Sequence, residues 1–216
     1  MRYVRLGEVA DIRAGYPFRT GVQEVPIEKA NSRVVQIKDV NEFGEIDWDG
    51  VVLTQVTFKR EPSWIRLGDV LFSGKGARNI ATWISDIPEL RIPSKNQNLR
   101  QDAVLASPHF FHLQIGLDHG VGPDFIAWQL NQAPAQDYFR GLAEGSRARS
   151  VKRGDLEALT VAIPPLETQQ AIVKLEAARR REAIVLDQIK ANSQKAMAGV
   201  AWRLMNNSDT RRSYKG

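Results

Sequence analysis

The sequence contains no cysteine and only three histidines, His109, His112 and His119. Without cysteine, a disulfide framework, a thiolate metal site and a cysteine nucleophile are excluded, and three histidines leave little material for a histidine-built metal site. No apolar run approaches the ~20 residues that a membrane-spanning helix needs. The opening residues, 1–12, also lack the apolar core of a signal peptide. We therefore expect a soluble, cytoplasmic protein with no membrane partner.

Sequence motifs of the common enzyme classes are also missing. Gly74-Lys75-Gly76 lacks the upstream glycine and the following hydroxyl residue of a phosphate-binding loop, and no dinucleotide-binding glycine motif follows a strand. No Gly-x-Ser-x-Gly nucleophile motif occurs. Ile163-Pro164-Pro165-Leu166 lacks the polar and aromatic residues with which amino-methyltransferases hold a flipped base. The sequence therefore predicts a protein that is not an enzyme and carries no cofactor of its own.

What the chain does have is enough apolar material for a core and a moderate excess of positive charge. Of its 216 residues, 43% are hydrophobic, which excludes a wholly disordered chain, and the net charge is +5. The basic residues concentrate between Arg140 and Arg153, where five of them accompany a single acid, Glu144. Clustered basic residues favour a nucleic-acid partner.

Residues 1–165 predict a mixed α/β (α+β) domain. Short β-branched runs at Arg33–Ile37, Gly50–Leu53 and Asp69–Phe72 are typical of strands. Turn-forming residues separate these runs. Pro123–Phe139 has the proline start and the apolar spacing of a helix.

After Pro164-Pro165 the composition changes to that of one long amphipathic helix, predicted over residues 166–205, with a flexible tail at 206–216. One small domain cannot cover such a helix along its whole length, so we expect it to pair as a coiled coil. A hairpin that folds back near Asn192-Ser193 is the alternative. The residues expected at the helix partner are Ile172, Leu175, Leu186, Ile189, Val200 and Leu204.

Five short segments occur in a fixed order along the chain. They are Leu6-Gly7-Glu8, Leu67–Ser73 followed by Gly76, Asn96-Gln97-Asn98-Leu99, Phe125–Phe139, and the junction Gly154–Ile172. In the junction, alternating apolar residues lead into Pro164-Pro165-Leu166, then Gln169 and Ile172, at the start of the long helix. Together, over residues 1–205, the segments resemble the specificity (S) subunit of type I restriction-modification systems, reduced to one target-recognition domain and one spacer helix.

The resemblance implies a function and a set of partners. One domain reads half of a split DNA target, and the chain docks the modification (methyltransferase) subunit, which uses S-adenosylmethionine to methylate adenine N6; a restriction subunit is a further partner. Because the family's full-size subunits carry two recognition domains and two helices, a half-size chain is expected to form a homodimer. Antiparallel pairing of the helices about a twofold axis then implies a palindromic split site on double-stranded DNA.

Three basic loops and one further arginine are the candidates for DNA contact. Arg and Asn side chains read guanine and adenine edges, whereas Lys and Arg bind phosphates. The residues are Ser73, Lys75, Arg78 and Asn79 in the first loop; Lys95, Asn96 and Asn98 in the second; Arg147, Arg149 and Lys152 in the third; and Arg19 near the start of the chain.

Two other functions stay open on the sequence alone. The first is a helical scaffold or adaptor whose mixed domain binds protein rather than DNA, and steep salt dependence of duplex binding would exclude it. The second is a nuclease with a site around Asp69, Asp86 and His109, which metal-dependent activity of the isolated chain would reveal.

Overall fold

The computed structural model describes residues 1–75, 79–90, 100, 102–143 and 150–209. The chain divides into two compact units, Met1–Val173 and Lys174–Gly216. The first unit contains mixed strands and helices, and the described residues of the second, as far as Asp209, are helical. The predicted fold class, a mixed α/β domain followed by a long C-terminal helix, is therefore confirmed. Within the described ranges, no helix has the length and apolar character needed to cross a bilayer.

Nine strands and four α-helices are described. The strands are β1 Arg2–Arg5, β2 Ala10–Ala14, β3 Ser32–Val35, β4 Val52–Thr54, β5 Val70–Ser73, β6 Ala81–Trp83, β7 Val104–Ala106, β8 Phe110–Ile115 and β9 Thr160–Ile163; the helices are α1 Pro123–Leu130, α2 Ala133–Ala143, α3 Arg153–Ala158 and α4 Leu166–Asp209. The three strands predicted from the sequence correspond to β3, β4 and β5. Along the chain, the first eight strands come before α1, α2 and α3, and β9 then leads into α4.

The strands form three sheets. The largest is antiparallel with the order β2-β8-β5-β6; a second, with the order β4-β3-β7, pairs β3 antiparallel with β4 and parallel with β7; and β1 pairs antiparallel with β9. The β1–β9 pairing joins the first residues of the chain to the strand that precedes α4, with Arg2 opposite Ile163. Both ends of the first unit therefore meet in one ribbon.

Strand β5 contributes to two of the three hydrophobic cores that the described residues form. All four of its residues are buried, because side chains alternate between the two faces of the central sheet. Val70 and Phe72 belong to the main core with residues of α1 and α2, whereas Leu71 lies in a second core with residues of β3 and β7. The short apolar run in the sequence is that of a strand covered on both sides.

The predicted single helix at Pro123–Phe139 is wrong. The helix breaks after Leu130, because the side chain of Asn131 bonds to the backbone of β6: its Oδ1 accepts from Ala81 N–H at 2.8 Å and its Nδ2 donates to the Ala81 carbonyl at 2.7 Å. Asn131 thus takes the place of a neighbouring strand at this edge. Gln129 does the same for Ala162 of β9, with both distances at 2.9 Å.

The long helix is continuous from Leu166 to Asp209. The alternative hairpin near Asn192-Ser193 is therefore wrong, and residues 206–209 of the predicted tail are helical. The first compact unit extends into the helix as far as Val173, because Ile172 and Val173 pack against its main core.

Candidate nucleic-acid interface

The structure brings together the flanks of two basic loops that lie far apart in the sequence. Val151 N–H donates to the Gly74 carbonyl at 2.9 Å, and Lys75 and Ser150 form an antiparallel β-bridge. Gly74 N–H in turn donates to the carbonyl of His109, the residue before β8, at 3.0 Å, so the junction is fixed to the start of β8. The first and third predicted DNA loops thus share one backbone joint, which we call the loop junction, residues 74–75 and 150–152.

Two lysines stand exposed at the loop junction. Lys75 is exposed on its bridged backbone, and Lys152 is exposed at the residue that precedes α3. The Lys152 N–H donates to Asp155 Oδ2 at 3.1 Å, which uses the backbone and leaves the ammonium group outside. Arg153, by contrast, donates to Glu157 at 2.7 Å. Lys75 and Lys152 are therefore the described cations at this place that suit phosphate contacts.

Ser73 and Asn79, on either side of residues 76–78, are hydrogen-bonded to each other. Ser73 is 2% exposed and its hydroxyl accepts from Ile80 N–H at 2.7 Å. Asn79 Nδ2 donates to the Ser73 carbonyl at 2.8 Å, and Gln136 donates to the Asn79 carbonyl, also at 2.8 Å. The Ser73 hydroxyl therefore faces the protein interior and not a surface that DNA could reach, and the Asn79 amide is used by the Ser73 carbonyl.

Gly74 is needed at the loop junction for close approach. A Cβ at this position would lie 2.5 Å from the Phe111 ring, and only glycine avoids that clash. The Gly74-Lys75 pair superficially resembles part of a phosphate-binding loop, but here Gly74 allows the backbone to pack against Phe111 of β8. Arg78, Lys95, Asn96, Asn98, Arg147 and Arg149 lie outside the described residues.

Arg19 is exposed beside a small aromatic cluster. Tyr16 and Phe18 stack edge to face at 4.9 Å between ring centroids, and with Trp64 they cover the third core around Val34. The 55–66 loop contributes to the same cluster and carries the exposed run Phe58-Lys59-Arg60, which the sequence reasoning missed. An aromatic residue followed by two cations between turn residues was the available signal.

The residues of the predicted nuclease site have other surroundings. Asp69 Oδ2 lies 2.6 Å from His112 Nε2, and both residues are buried at 7% and 2% exposure. His109 and Asp86 are exposed. Among the residues that the structure describes, no three acids or histidines lie close enough to hold a metal ion. Asp69 instead connects the Leu67-Gly68 turn to β8.

Gln169, in the junction motif, fastens the first turn of α4 within the first unit. It is 1% exposed; its Oε1 accepts from Gly122 N–H at 2.9 Å, and its Nε2 donates to the carbonyls of Gly120 and Pro164, both at 2.8 Å. We call this arrangement the Gln169 clamp. It gives a physical reason for a glutamine three residues after Leu166 in this motif.

The second unit, by itself, is a helix with exposed apolar side chains. Separations of 3, 4 and 11 residues place them on one face, because each is close to a whole number of helical turns. They are Leu175 at 72% exposure, Leu186 at 58%, Ile189 at 59%, Val200 at 50% and Leu204 at 70%, and we call them the apolar row. Ile172, predicted to belong to it, instead packs against the main core of the first unit.

The arginine run of this helix is partly neutralised within its own turn. Arg179 donates to Glu176 at 2.7 and 2.8 Å, and Arg180 donates to the same carboxylate at 2.9 Å. The hydrogen bond from Arg179 is the largest cause that lowers the pKa of Glu176, with a further contribution from Arg180. These two arginines therefore stabilise their own helix locally.

The fold is similar to that of two solved structures from type I restriction-modification systems. A solved structure from work on complex assembly and conformational transition of the type I R-M system matches with a TM-score of 0.55 and 18% identity, over 89% of this chain and 41% of that one. The HsdS subunit from Thermoanaerobacter tengcongensis matches with a TM-score of 0.53 and 18% identity, over 87% of this chain and 39% of its own.

These matches confirm the fold that the sequence resemblance implied. The chain spans about two fifths of the length of both solved proteins. No family model and no curated protein matches it. At 18% identity the likeness concerns the fold, so function is argued below from the residues.

Proposed function

We propose that this protein is a non-catalytic DNA sequence-recognition subunit of a type I restriction-modification complex, and that each copy reads one half of a split target. The observation that carries the proposal is the loop junction: two basic loops from distant parts of the sequence share a backbone joint, the Val151-to-Gly74 hydrogen bond of 2.9 Å, on a domain with the HsdS fold. Convergent basic loops on a rigid scaffold are a common arrangement for reading DNA.

In this proposal the loop junction supplies phosphate contacts and its neighbours in sequence supply base contacts. Lys75 and Lys152 are exposed on backbone that is hydrogen-bonded on both sides of the junction. A fixed backbone reduces the ordering cost of binding. Arg78, Arg147 and Arg149 follow or precede these residues closely in the sequence and have the side chain that reads guanine in the major groove.

The second unit serves to pair copies and to hold half-sites apart. The support is the apolar row, five aliphatic side chains that are each at least half exposed in the single chain. Large exposed apolar surfaces mark interaction sites. Antiparallel pairing of this row with that of a second copy would fix the spacing between two recognition domains. The modification subunit, with its S-adenosylmethionine, would dock on this assembly and methylate adenine. A restriction subunit would be a further partner.

Removal of the two junction lysines tests the DNA proposal. The double variant Lys75→Ala with Lys152→Ala should bind a mixed-sequence duplex more weakly at every salt concentration. The slope of log K against log salt should become shallower by about two, since about one counterion is released per phosphate contact. Fluorescence anisotropy across a salt series measures both quantities.

Lys29→Ala is the matched control, because Lys29 is an exposed lysine of another loop. It should leave the affinity within about twofold of the unaltered chain and the salt slope unchanged. Binding that does not depend on salt, or no duplex binding at all, would contradict the proposal and favour the protein-binding scaffold.

A further inference from the structure

The 55–66 loop is held at both ends and exposed in its middle. At its start, Asn31 Nδ2 donates to the Val56 carbonyl at 2.8 Å and Val56 N–H donates back to Asn31 Oδ1 at 2.9 Å. Tyr16 donates from its hydroxyl to the Thr57 carbonyl at 3.2 Å. The first residues of the loop are therefore fixed to two other segments of the first unit.

The end of the loop is fixed through a buried polar chain. Ser63 Oγ lies 3.0 Å from His112 Nδ1, and the other ring nitrogen of His112 lies 2.6 Å from Asp69. Ile65 N–H donates to the Val104 carbonyl at 2.8 Å, and Arg66 N–H donates to Asp69 Oδ2 at 2.7 Å. Because His112 is 2% exposed, this anchor belongs to the core of the domain.

Between these anchors, residues 58–60 present one ring and two cations to the outside. Phe58 is 40% exposed and lies edge to face on Trp64, with the ring centroids 5.8 Å apart. The Trp64 indole N–H donates to Glu61, which fixes the supporting ring. Lys59 and Arg60 are exposed, and neither forms an ion pair with another described residue.

A supported aromatic ring beside cations matches a ligand that has both flat apolar faces and dense negative charge. Nucleic acid is the class of macromolecule with both properties. Phenylalanine is also among the side chains that proteins insert between base steps of a duplex. The fixed ends of the loop mean that the ring is held in place before the ligand arrives, which lowers the cost of binding.

We propose that Phe58, Lys59 and Arg60 form a second DNA-contact surface, in which the Phe58 ring enters a base step of the duplex while Lys59 and Arg60 bind the flanking phosphates. This inference rests on the proposed function, because it assumes that the chain binds duplex DNA. The strength of this contact depends on how easily the base step unstacks. Because that ease differs between DNA sequences, the contact contributes to sequence preference. The loop junction and this surface are separate sets of residues.

The test uses the full-length chain and a mixed-sequence duplex that carries 2-aminopurine. Binding of the unaltered protein should raise 2-aminopurine fluorescence, because a ring inserted at a base step unstacks its neighbours. Phe58→Ala should abolish the rise and weaken binding about tenfold. Leu67→Ala, at a leucine that is 65% exposed, is the matched control and should change neither quantity.

A second variant leaves the Phe58 ring and its contact with Trp64 in place, so it tests the surface without altering packing within the fold. Lys59→Gln with Arg60→Gln removes only exposed charge, so it should melt like the unaltered chain and lower the salt slope by about two. Unchanged binding by both variants, with binding still lost in the junction-lysine variant, would overturn this inference and leave the proposed function standing. Absence of duplex binding by the unaltered chain would overturn both, and tighter binding of a single strand than of the duplex would overturn the base-step contact.

Discussion

Replacing Ile189 with arginine is expected to convert a pair of chains into monomers. Ile189 is 59% exposed in the single chain and lies on the apolar row between Leu186 and Val200. Full burial of an isoleucine against a partner helix contributes about 1.5–3 kcal/mol, and in a twofold pair the loss counts twice. An arginine there also requires burial of a charge. The dissociation constant should rise more than about a hundredfold.

Ile184→Arg is the matched control for this prediction. Ile184 lies five residues earlier, ~140° round the helix from Ile189, and is 36% exposed. The same change of residue there should leave the pair intact. Light scattering gives the mass directly: the unaltered chain and Ile184→Arg should have a mass near twice 24.2 kDa, and Ile189→Arg should have a mass near 24.2 kDa. A monomeric unaltered chain would contradict pairing through the apolar row.

Addition of the modification subunit extends the measurement to the second expected partner. If the pair is the scaffold of the complex, the unaltered chain should gain two copies of the modification subunit per pair. Ile189→Arg should bind at most one copy per chain, in a complex of half the mass. A chain that remains a pair but does not bind the modification subunit would contradict docking and leave pairing intact.

The sequence predicted the elements whose signal is local. β3, β4 and β5 follow from short β-branched runs between turn residues, and α4 follows from a stretch rich in good helix formers after Pro164-Pro165. The glycine at position 68 also indicated the turn before β5. In the structure Gly68 has a φ of +89°, a backbone conformation that glycine adopts without strain. In these segments the local preference and the tertiary structure agree.

The sequence did not predict features that depend on contacts between distant residues. Phe125–Phe139 has the pattern of one helix, and only the pairing of the Asn131 amide with Ala81 shows why it breaks. Serine is common in exposed loops, but the Ser73 hydroxyl accepts a hydrogen bond from Ile80 N–H and is buried. Ile172 fits the periodicity of the apolar row, yet it packs on the domain from which the helix begins. In each case a partner many residues away determines the role.

The candidate site shows the same limit. Charge composition made the first and third loops candidates for DNA contact, but their meeting at Gly74 and Val151 could be seen only in the fold. The 55–66 loop was missed because two cations beside one phenylalanine resemble any solvated loop in sequence. Its anchors at Asn31 and His112 are what distinguish it from such a loop.

Replacing Gln169 with alanine is expected to destabilise the first unit by about 2–4 kcal/mol. The substitution leaves the Gly122 N–H and the carbonyls of Gly120 and Pro164 without their partner at a site where the glutamine is 1% exposed. Buried polar groups that lose a hydrogen bond bear the cost of desolvation without compensation. Equilibrium unfolding in urea measures the change.

The neighbouring glutamine provides the control for the Gln169 clamp. Gln170 is exposed on the same helical turn, so Gln170→Ala removes an identical side chain and should change the free energy of unfolding by no more than about 0.5 kcal/mol. Gln169→Glu separates the two halves of the clamp, because a carboxylate still accepts from Gly122 N–H but cannot donate to the two carbonyls. It should be at least as destabilising as alanine, since it also buries a charge. If Gln169→Ala matched Gln170→Ala, the clamp would contribute nothing to stability, and the glutamine of the junction motif would require another explanation.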